Sequence, residues 1–248
     1  MRLIRAGRKA ELVLDNPEAR NAVSVGMMVD LLTAVDDLAA DPPTVLIVHG
    51  AGDAGFCAGG DLREVRAHLM DDQTPAGMPL VIGDALDRLA TLPTAIVAAV
   101  EGVAVGGGAE LSQVADWVVL SESAKIGFVH ASLGVSPGWG GARRLIARVG
   151  HRAATEVLLH ARAYRGDEAR LRGLADEVVP SGQALTSAEE WASRVLSVPS
   201  ASTQGALQIL RAARRDPGST RVVEAEVFAR LWGGPAHQEA LKKIKAGG

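Results

Sequence analysis

Cysteine is almost missing from this chain of 248 residues. The single one, Cys57, excludes an intrachain disulfide and any zinc site built from several thiolates, and it suits a reducing compartment. Aromatic residues are scarce too, 3% of the sequence against 28 glycines and 48% apolar residues. An interior of that composition must be filled with Ala, Val and Leu on closely approaching backbones joined by many turns, which points to a layered α/β domain. Long apolar runs are absent. Ala95–Val100 is typical and stops far short of the ~20 residues a bilayer requires, and Met1-Arg2-Leu3-Ile4-Arg5 returns to charge at once. The expectation is a cytoplasmic protein with neither secretory signal nor membrane span. Charge of one sign is also lacking: 26 Lys plus Arg stand against 29 Asp plus Glu, a net charge of −3, with no basic block to grip a phosphate backbone. Nucleic acid is therefore not an expected partner.

The patterning that is present alternates strand and helix. Leu3-Ile4 and Glu11-Leu12-Val13-Leu14 read as a hairpin around Gly7-Arg8-Lys9. Ser24 can cap a helix in which Met28, Leu31, Leu32, Val35 and Leu38 recur at helical spacing until Asp41-Pro42-Pro43. Val45-Leu46-Ile47-Val48 is a buried-strand run, so strand, helix and strand follow in the order of a crossover unit. A helix is expected over 61–69, a polar, mobile surface loop over 71–79, a helix over 84–90, and further buried strands at 95–100 and 117–120. From 142 onward the pattern is nearly all helical, with segments near 142–160, 167–174, 185–197, 201–214, 219–232 and 236–245. This divides the chain into a strand-rich core, 1–180, and an α-helical region, 181–248, without a clear linker or internal repeat.

Two glycine-rich turns stand out. Phe56-Cys57-Ala58-Gly59-Gly60-Asp61-Leu62 follows the Val45 strand, and Gly102-Val103-Ala104-Val105-Gly106-Gly107-Gly108-Ala109-Glu110-Leu111 follows the Ala95 strand and opens a helix. Such turns leave backbone N–H groups free at a helix start, where they can donate to an anionic oxygen, although each taken alone is more often an ordinary tight turn. Two look-alikes fail. Gly106 and Gly108 are followed by Leu111, so the dinucleotide spacing G-x-G-x-x-G is broken. Gly134-Val135-Ser136-Pro137-Gly138 matches a serine nucleophile elbow, but that device needs an N–H after the serine and Pro137 has none.

The strings Asn16-Pro17-Glu18-Ala19-Arg20-Asn21-Ala22, Phe56-Cys57-Ala58-Gly59-Gly60-Asp61-Leu62, Gly106-Gly107-Gly108-Ala109-Glu110-Leu111 and Leu133-Gly134-Val135-Ser136-Pro137-Gly138-Trp139-Gly140-Gly141, in this order, resemble the crotonase (enoyl-CoA hydratase/isomerase) family over nearly the whole chain. The resemblance implies an α/β fold, the crotonase ββα spiral with a C-terminal α-helical trimerisation region, a homotrimer or hexamer, and an acyl-CoA thioester as substrate. By position, Gly60 and Gly107 match the residues whose N–H groups form the family's oxyanion hole. Ala58 falls where the family's backbone meets the adenine of coenzyme A, and Arg20 in the segment bordering the coenzyme A channel; Ala22, Asp61, Leu62 and Gly106 are expected to contact substrate with them. Arg63 and Arg66 could reach the phosphates, or be a solvated helix face.

One departure matters. Family hydratases use two glutamates; here the first is Glu110, but the second position holds His130. Hydration needs a water held between two carboxylates, so the exchange counts against that activity. Together with Trp139 and with Leu231-Trp232-Gly233-Gly234-Pro235-Ala236, His130 makes the chain similar to the ethylmalonyl-CoA decarboxylase branch, which implies an ethylmalonyl- or methylmalonyl-CoA substrate. Charge arithmetic fits: two unit charges at ~4 Å interact by about 4 kcal/mol at an effective dielectric near ~20, so a second ionised glutamate would repel a malonyl carboxylate, whereas a protonated imidazole attracts it. Decarboxylation needs no base. It leaves an enolate to be protonated, by Glu110 or by His130, with Trp139 as an apolar wall. Enoyl-CoA hydration or isomerisation and non-catalytic acyl-CoA binding remain as rivals. No metal and no organic cofactor beyond the coenzyme A of the substrate is expected, since His49, His68, His151, His160 and His237 show no ligand spacing.

Overall fold

A computed structural model of the chain describes residues 1–61, 63–64, 77–215, 220–231, 234–236 and 239. The expected hairpin is β1 (Arg2–Ala6) and β2 (Lys9–Leu14), antiparallel, with Ala6 opposite Lys9 and Gly7 at positive φ in the turn between them. Ser24 caps α1 (Val25–Ala40) by accepting from the Met27 N–H at 3.1 Å, and the helix buries Met27, Leu31, Ala34, Val35 and Leu38. The chain then re-enters the sheet as β3 (Val45–Gly50), parallel to β2. Helix α2 (Gly77–Thr91) leads to β4 (Ala95–Val100), β5 (Val103–Val105), α3 (Gly107–Ser112), β6 (Trp117–Ser121) and β7 (Lys125–Gly127). A short 3₁₀ turn (His130–Leu133) precedes α4 (Gly141–His160), β8 (Tyr164–Arg165), α5 (Gly166–Leu171), β9 (Glu177–Val179), α6 (Ala184–Leu196), α7 (Ser200–Arg215) and α8 (Thr220–Leu231).

The larger sheet has the order β1-β2-β3-β4-β6-β9, parallel throughout except for the opening hairpin; the smaller has the order β5-β7-β8. Alternation along the central strands explains their unbroken apolar sequence. Leu46, Val48, Ile96, Ala98 and Val100 face a core shared with Leu31, Val35, Ile82 and Leu86 of α1 and α2. Val45, Ile47, Ala95, Val97 and Ala99 face the other way, onto Ala184, Ala188 and Ala192 of α6 and Leu207 of α7. A parallel sheet must be covered on both faces, and residues beyond 180 provide one of the two covers. Small alanines let α6 lie close against the strands.

Several expectations are corrected. The helix expected from 84 starts at Gly77, so 77–79 of the expected loop are helical; Pro79 is accommodated because the first turn of a helix has no acceptors for its N–H groups. Positions 71–76, most of the helix expected over 61–69 and most of 236–245 lie outside the described residues. The expected helix over 142–160 is two helices in succession, broken by Gly150 at φ 76° and ψ 163°. The strands β8 and β9 interrupt the region expected to be nearly all helical. Among the described residues no helix is long and apolar enough to cross a membrane. Replacing the α1 cap, Ser24→Ala, is expected to lower stability by about 1 kcal/mol, measured as a shift of the urea midpoint at unchanged slope.

Candidate active site

The two glycine turns meet. Cys57 and Ala104 form a parallel bridge, with the Cys57 N–H donating to the Val103 carbonyl at 2.8 Å and the Val105 N–H to the Cys57 carbonyl at 3.2 Å. This lays the first turn along β5, which delivers the chain to Gly106 and Gly107. Gly59, at φ 101°, lies so near that a Cβ built on it would be 3.3 Å from the Gly107 nitrogen. Gly107 is the first residue of α3, so its N–H has no intrahelical acceptor. The bridge between Val23 and Gly60 runs through the Val23 N–H to the Gly59 carbonyl and the Asp61 N–H to the Val23 carbonyl, and uses no donor of Gly60 itself. Among the described residues, neither the Gly60 nor the Gly107 N–H is used by these bridge, turn and helix hydrogen bonds. The Cys57 thiol is not a nucleophile here: burial pushes its pKa up to about 12.

Glu110 sits in α3 with 1% of its surface exposed. A buried carboxylate must be compensated by donors, and four converge on it. Oε1 accepts from the Gly138 N–H at 3.1 Å and lies 3.1 Å from His130 Nε2; Oε2 accepts from the N–H groups of Trp139 at 2.9 Å and Gly141 at 2.8 Å. Burial alone would push this carboxyl up, but the His130 imidazole and the Gly141 and Gly138 amides outweigh it and hold Glu110 below the ordinary carboxylate range. His130 is also buried, 6.0 Å from the Phe128 ring, and its Nδ1 has no hydrogen-bond partner among the described residues. The loop gripped by Glu110 carries Trp139, whose indole covers Gly107 so closely that a Cβ there would be 2.4 Å from the ring. Arg144 holds the same loop from α4, donating to the Trp139 carbonyl and, at 2.6 Å, to Asp87.

Glu18, Arg20, Ala22, Ala58, Gly60, Asp61 and Arg63 line a cleft of about 380 Å³. Arg20 and Asn21 both have positive φ, and Asn21 is fully buried, accepting from the Asn16 N–H at 3.0 Å and donating to the carbonyls of Ala51 and Gly55 at 3.1 and 2.7 Å. Asp61 spends its Oδ1 on the Arg63 N–H at 2.9 Å, as a helix cap does.

Compared with known proteins, the chain matches the family described as "Enoyl-CoA hydratase/isomerase" over residues 9–243. The chain belongs to the enoyl-CoA hydratase/isomerase family. It is 38% identical over 244 residues to "Ethylmalonyl-CoA decarboxylase" of Rattus norvegicus, covering 94% of this chain and 79% of that protein. It is 36% identical over 238 residues to the protein of the same name from Xenopus laevis, with the same shares covered. Among solved structures, an enoyl-CoA hydratase from Bacillus anthracis superposes with a TM-score of 0.92 at 26% identity, covering 99% of this chain and 95% of that one. The α/β crotonase fold is thereby established.

Within this family fold, the residues singled out in the sequence fall into two joined groups: Gly106, Gly107, Glu110, His130 and Trp139 around the buried carboxylate, and Arg20, Ala22, Ala58, Gly60 and Asp61 at the cleft. Leu62, Arg66, His68, Trp232, Gly233 and His237 lie outside the described residues. His49 and His160 lie beside Glu11 and Glu156, at 3.4 and 3.8 Å. Asn21, Arg144 and Gly141 position the site and were not legible as such. Asn21 had a local signal, since Asn tolerates the left-handed region; Arg144 had none, because its partners are 57 and 5 residues away.

Two outcomes follow for folding. Gly107→Ala is expected to cost about 1–3 kcal/mol by overpacking against the indole, and a Gly107→Ala/Trp139→Leu double variant to recover most of it in denaturant melts. Because the folded Glu110 pKa lies below its unfolded value, its contribution to stability is present above the unfolded pKa and is lost as pH falls through the folded one. The stability difference between wild type and Glu110→Gln should therefore shrink on acidification below ~4.3, the ordinary glutamate value, in melts recorded across that range.

Proposed function

We propose that this chain is a carboxy-lyase that removes CO2 from an ethylmalonyl- or methylmalonyl-CoA thioester. The observation that carries the reading is the pairing of Glu110 with His130 at 3.1 Å, one carboxylate and one imidazole, with the ring 3.9 Å from the Cβ position of Gly106 at the start of α3. The relatives that bear the name ethylmalonyl-CoA decarboxylase support it. Coenzyme A lies along the cleft of Arg20, Ala22, Ala58, Asp61 and Arg63, with Gly106 adding a contact, and the thioester oxygen points at the N–H groups of Gly60 and Gly107. The substrate's C–C bond breaks as its electrons move into the enolate, whose oxygen those two donors hold. Loss of one such donor costs about 2.7–4 kcal/mol of barrier. Trp139 keeps water from the reacting carbon, and the carbanionic carbon takes one proton from the Glu110–His130 pair. A second ionised glutamate at 130 would repel the substrate carboxylate by several kcal/mol; the imidazole does not.

The reaction so written calls for no metal and no cofactor other than the coenzyme A of the substrate. The enzyme works as a homotrimer or hexamer in the cytoplasm, with the segment from 181 onward as the assembling region and no nucleic acid or membrane partner. Hydration of a trans-2-enoyl-CoA is the second reading, favoured by the superposition on an enoyl-CoA hydratase. Mass spectrometry of ethylmalonyl-CoA, methylmalonyl-CoA and crotonyl-CoA incubated with the purified protein separates the two. Loss of CO2 from a malonyl thioester is expected; gain of water on crotonyl-CoA with the malonyl esters unchanged contradicts the proposal. His130→Glu is expected to lower the decarboxylation rate by at least about tenfold, as repulsion of the substrate carboxylate is introduced.

A further inference from the structure

Five arginines line one cavity of about 520 Å³ beyond the C-terminal end of α3: Arg143, Arg144 and Arg148 of α4, with Arg211 and Arg214 of α7. Asp87 of α2 is the lone carboxylate in its lining among the described residues. In a chain with more acidic than basic residues, composition alone does not produce such a concentration of one sign. Three of the five guanidiniums are spent on the fold. Arg148 donates to the carbonyls of Gly173 at 2.9 Å and Ala115 at 3.3 Å and pairs with Asp176. Arg211 donates to the carbonyls of Leu92 and Thr94, the second at 2.8 Å, and Arg144 to Asp87 and the Trp139 carbonyl. The side chains of Arg144, Arg148 and Arg211 are only 10, 12 and 13% exposed.

The other two are open. Arg143, 69% exposed, uses one nitrogen, which donates at 2.5 Å to the same Asp87 Oδ1 that Arg144 uses. Arg214, 46% exposed, makes no hydrogen bond among the described residues; it stands 3.8 Å from Asp116, a carboxylate that Arg211 approaches at the same distance. Five guanidiniums thus share Asp87, Asp116 and Asp176 among the described residues, which leaves an excess of two positive charges, five less three. A cavity lined by one sign of charge concentrates counter-ions.

We infer that this cavity binds a phosphate monoester through the open guanidiniums of Arg143 and Arg214. A phosphate dianion matches the excess of two charges, and its oxygens accept the paired N–H donors of a guanidinium fork. The cavity is larger than a bare phosphate needs, and Ala90, Val114 and Ala147 supply apolar wall for the organic body of the ester. The site binds rather than converts its ligand. Asp87 Oδ1 is engaged by two arginines, the Thr91 hydroxyl donates to the Arg88 carbonyl at 2.8 Å, and no Ser, Cys, His or Lys is in the described lining. Arg144 joins the cavity to the active site, because the guanidinium that reaches Asp87 also holds the Trp139 carbonyl. The inference does not depend on the reaction proposed above.

The test is isothermal titration calorimetry of the full chain at low ionic strength with phenyl phosphate, inorganic phosphate and benzoate as probes. Phenyl phosphate is expected to bind with a Kd of about 1 mM or tighter, inorganic phosphate several-fold more weakly, and benzoate not measurably. Arg143→Gln/Arg214→Gln is expected to weaken phenyl phosphate binding by at least about tenfold, as for loss of charge-assisted hydrogen bonds. Both side chains are exposed, so without ligand the variant should melt as the wild type does. The single variants carry the same test, each with a smaller loss. Arg63→Gln, in the cleft assigned to coenzyme A, should leave the phenyl phosphate affinity unchanged. Binding lost in Arg63→Gln and kept in the Arg143→Gln/Arg214→Gln variant would place the phosphate in that cleft and overturn the inference. Benzoate binding as tightly as phenyl phosphate, or no binding of phenyl phosphate to the wild type, would overturn it as well.

Discussion

An ionised carboxylate removed from water loses a large solvation energy, and it persists inside a protein only if fixed dipoles and donors replace that water. Glu110 is such a group, and the arrangement of the site follows from how it is satisfied. Its two oxygens draw in the backbone of Gly138, Trp139 and Gly141 and the ring of His130, so the start of α4, the loop before it and the 3₁₀ turn are all referred to one side chain of α3. The indole of Trp139 is carried over Gly107 as a consequence. Elements that are distant in sequence thus share this one anion.

The remainder of the architecture brings α3 to the right place. Parallel strands β3 and β4 each end at a turn of small residues, and the bridge of Cys57 with Ala104 sets those turns side by side. Ligands of open α/β sheets gather at the carboxyl ends of strands for this reason: the helix starts and their free N–H groups are there. Family membership accounts for the scaffold, and the decarboxylation proposed for the chain turns on the single histidine at position 130. One anion and one imidazole suit a substrate that brings its own carboxylate, in a site where a second glutamate would oppose it.

Much of this was readable from residues. The buried strands were apolar runs of strand length, α1 had both its cap and its breaker, and the two glycine turns lay directly after strands. What could not be read depends on contacts between distant residues. β8 and β9 have two and three residues and no period to detect. α2 begins before its apolar pattern does, because a first helical turn needs no such pattern. The hold of Arg144 on the Trp139 loop, and the way Asn21 ties three stretches of backbone together, are satisfied only in three dimensions. The saturation of Glu110 was likewise hidden, since its donors are backbone amides that any sequence possesses.

The account turns on which imidazole nitrogen faces Glu110 and on that carboxyl being ionised. Nitrogen-15 NMR of the protein labelled at histidine, with His130→Gln to assign the signal, reads this directly. The account predicts that His130 Nε2 carries a proton in a persistent hydrogen bond to an ionised Glu110. A neutral ring protonated at Nδ1, with bare Nε2 accepting from a protonated Glu110, would contradict it.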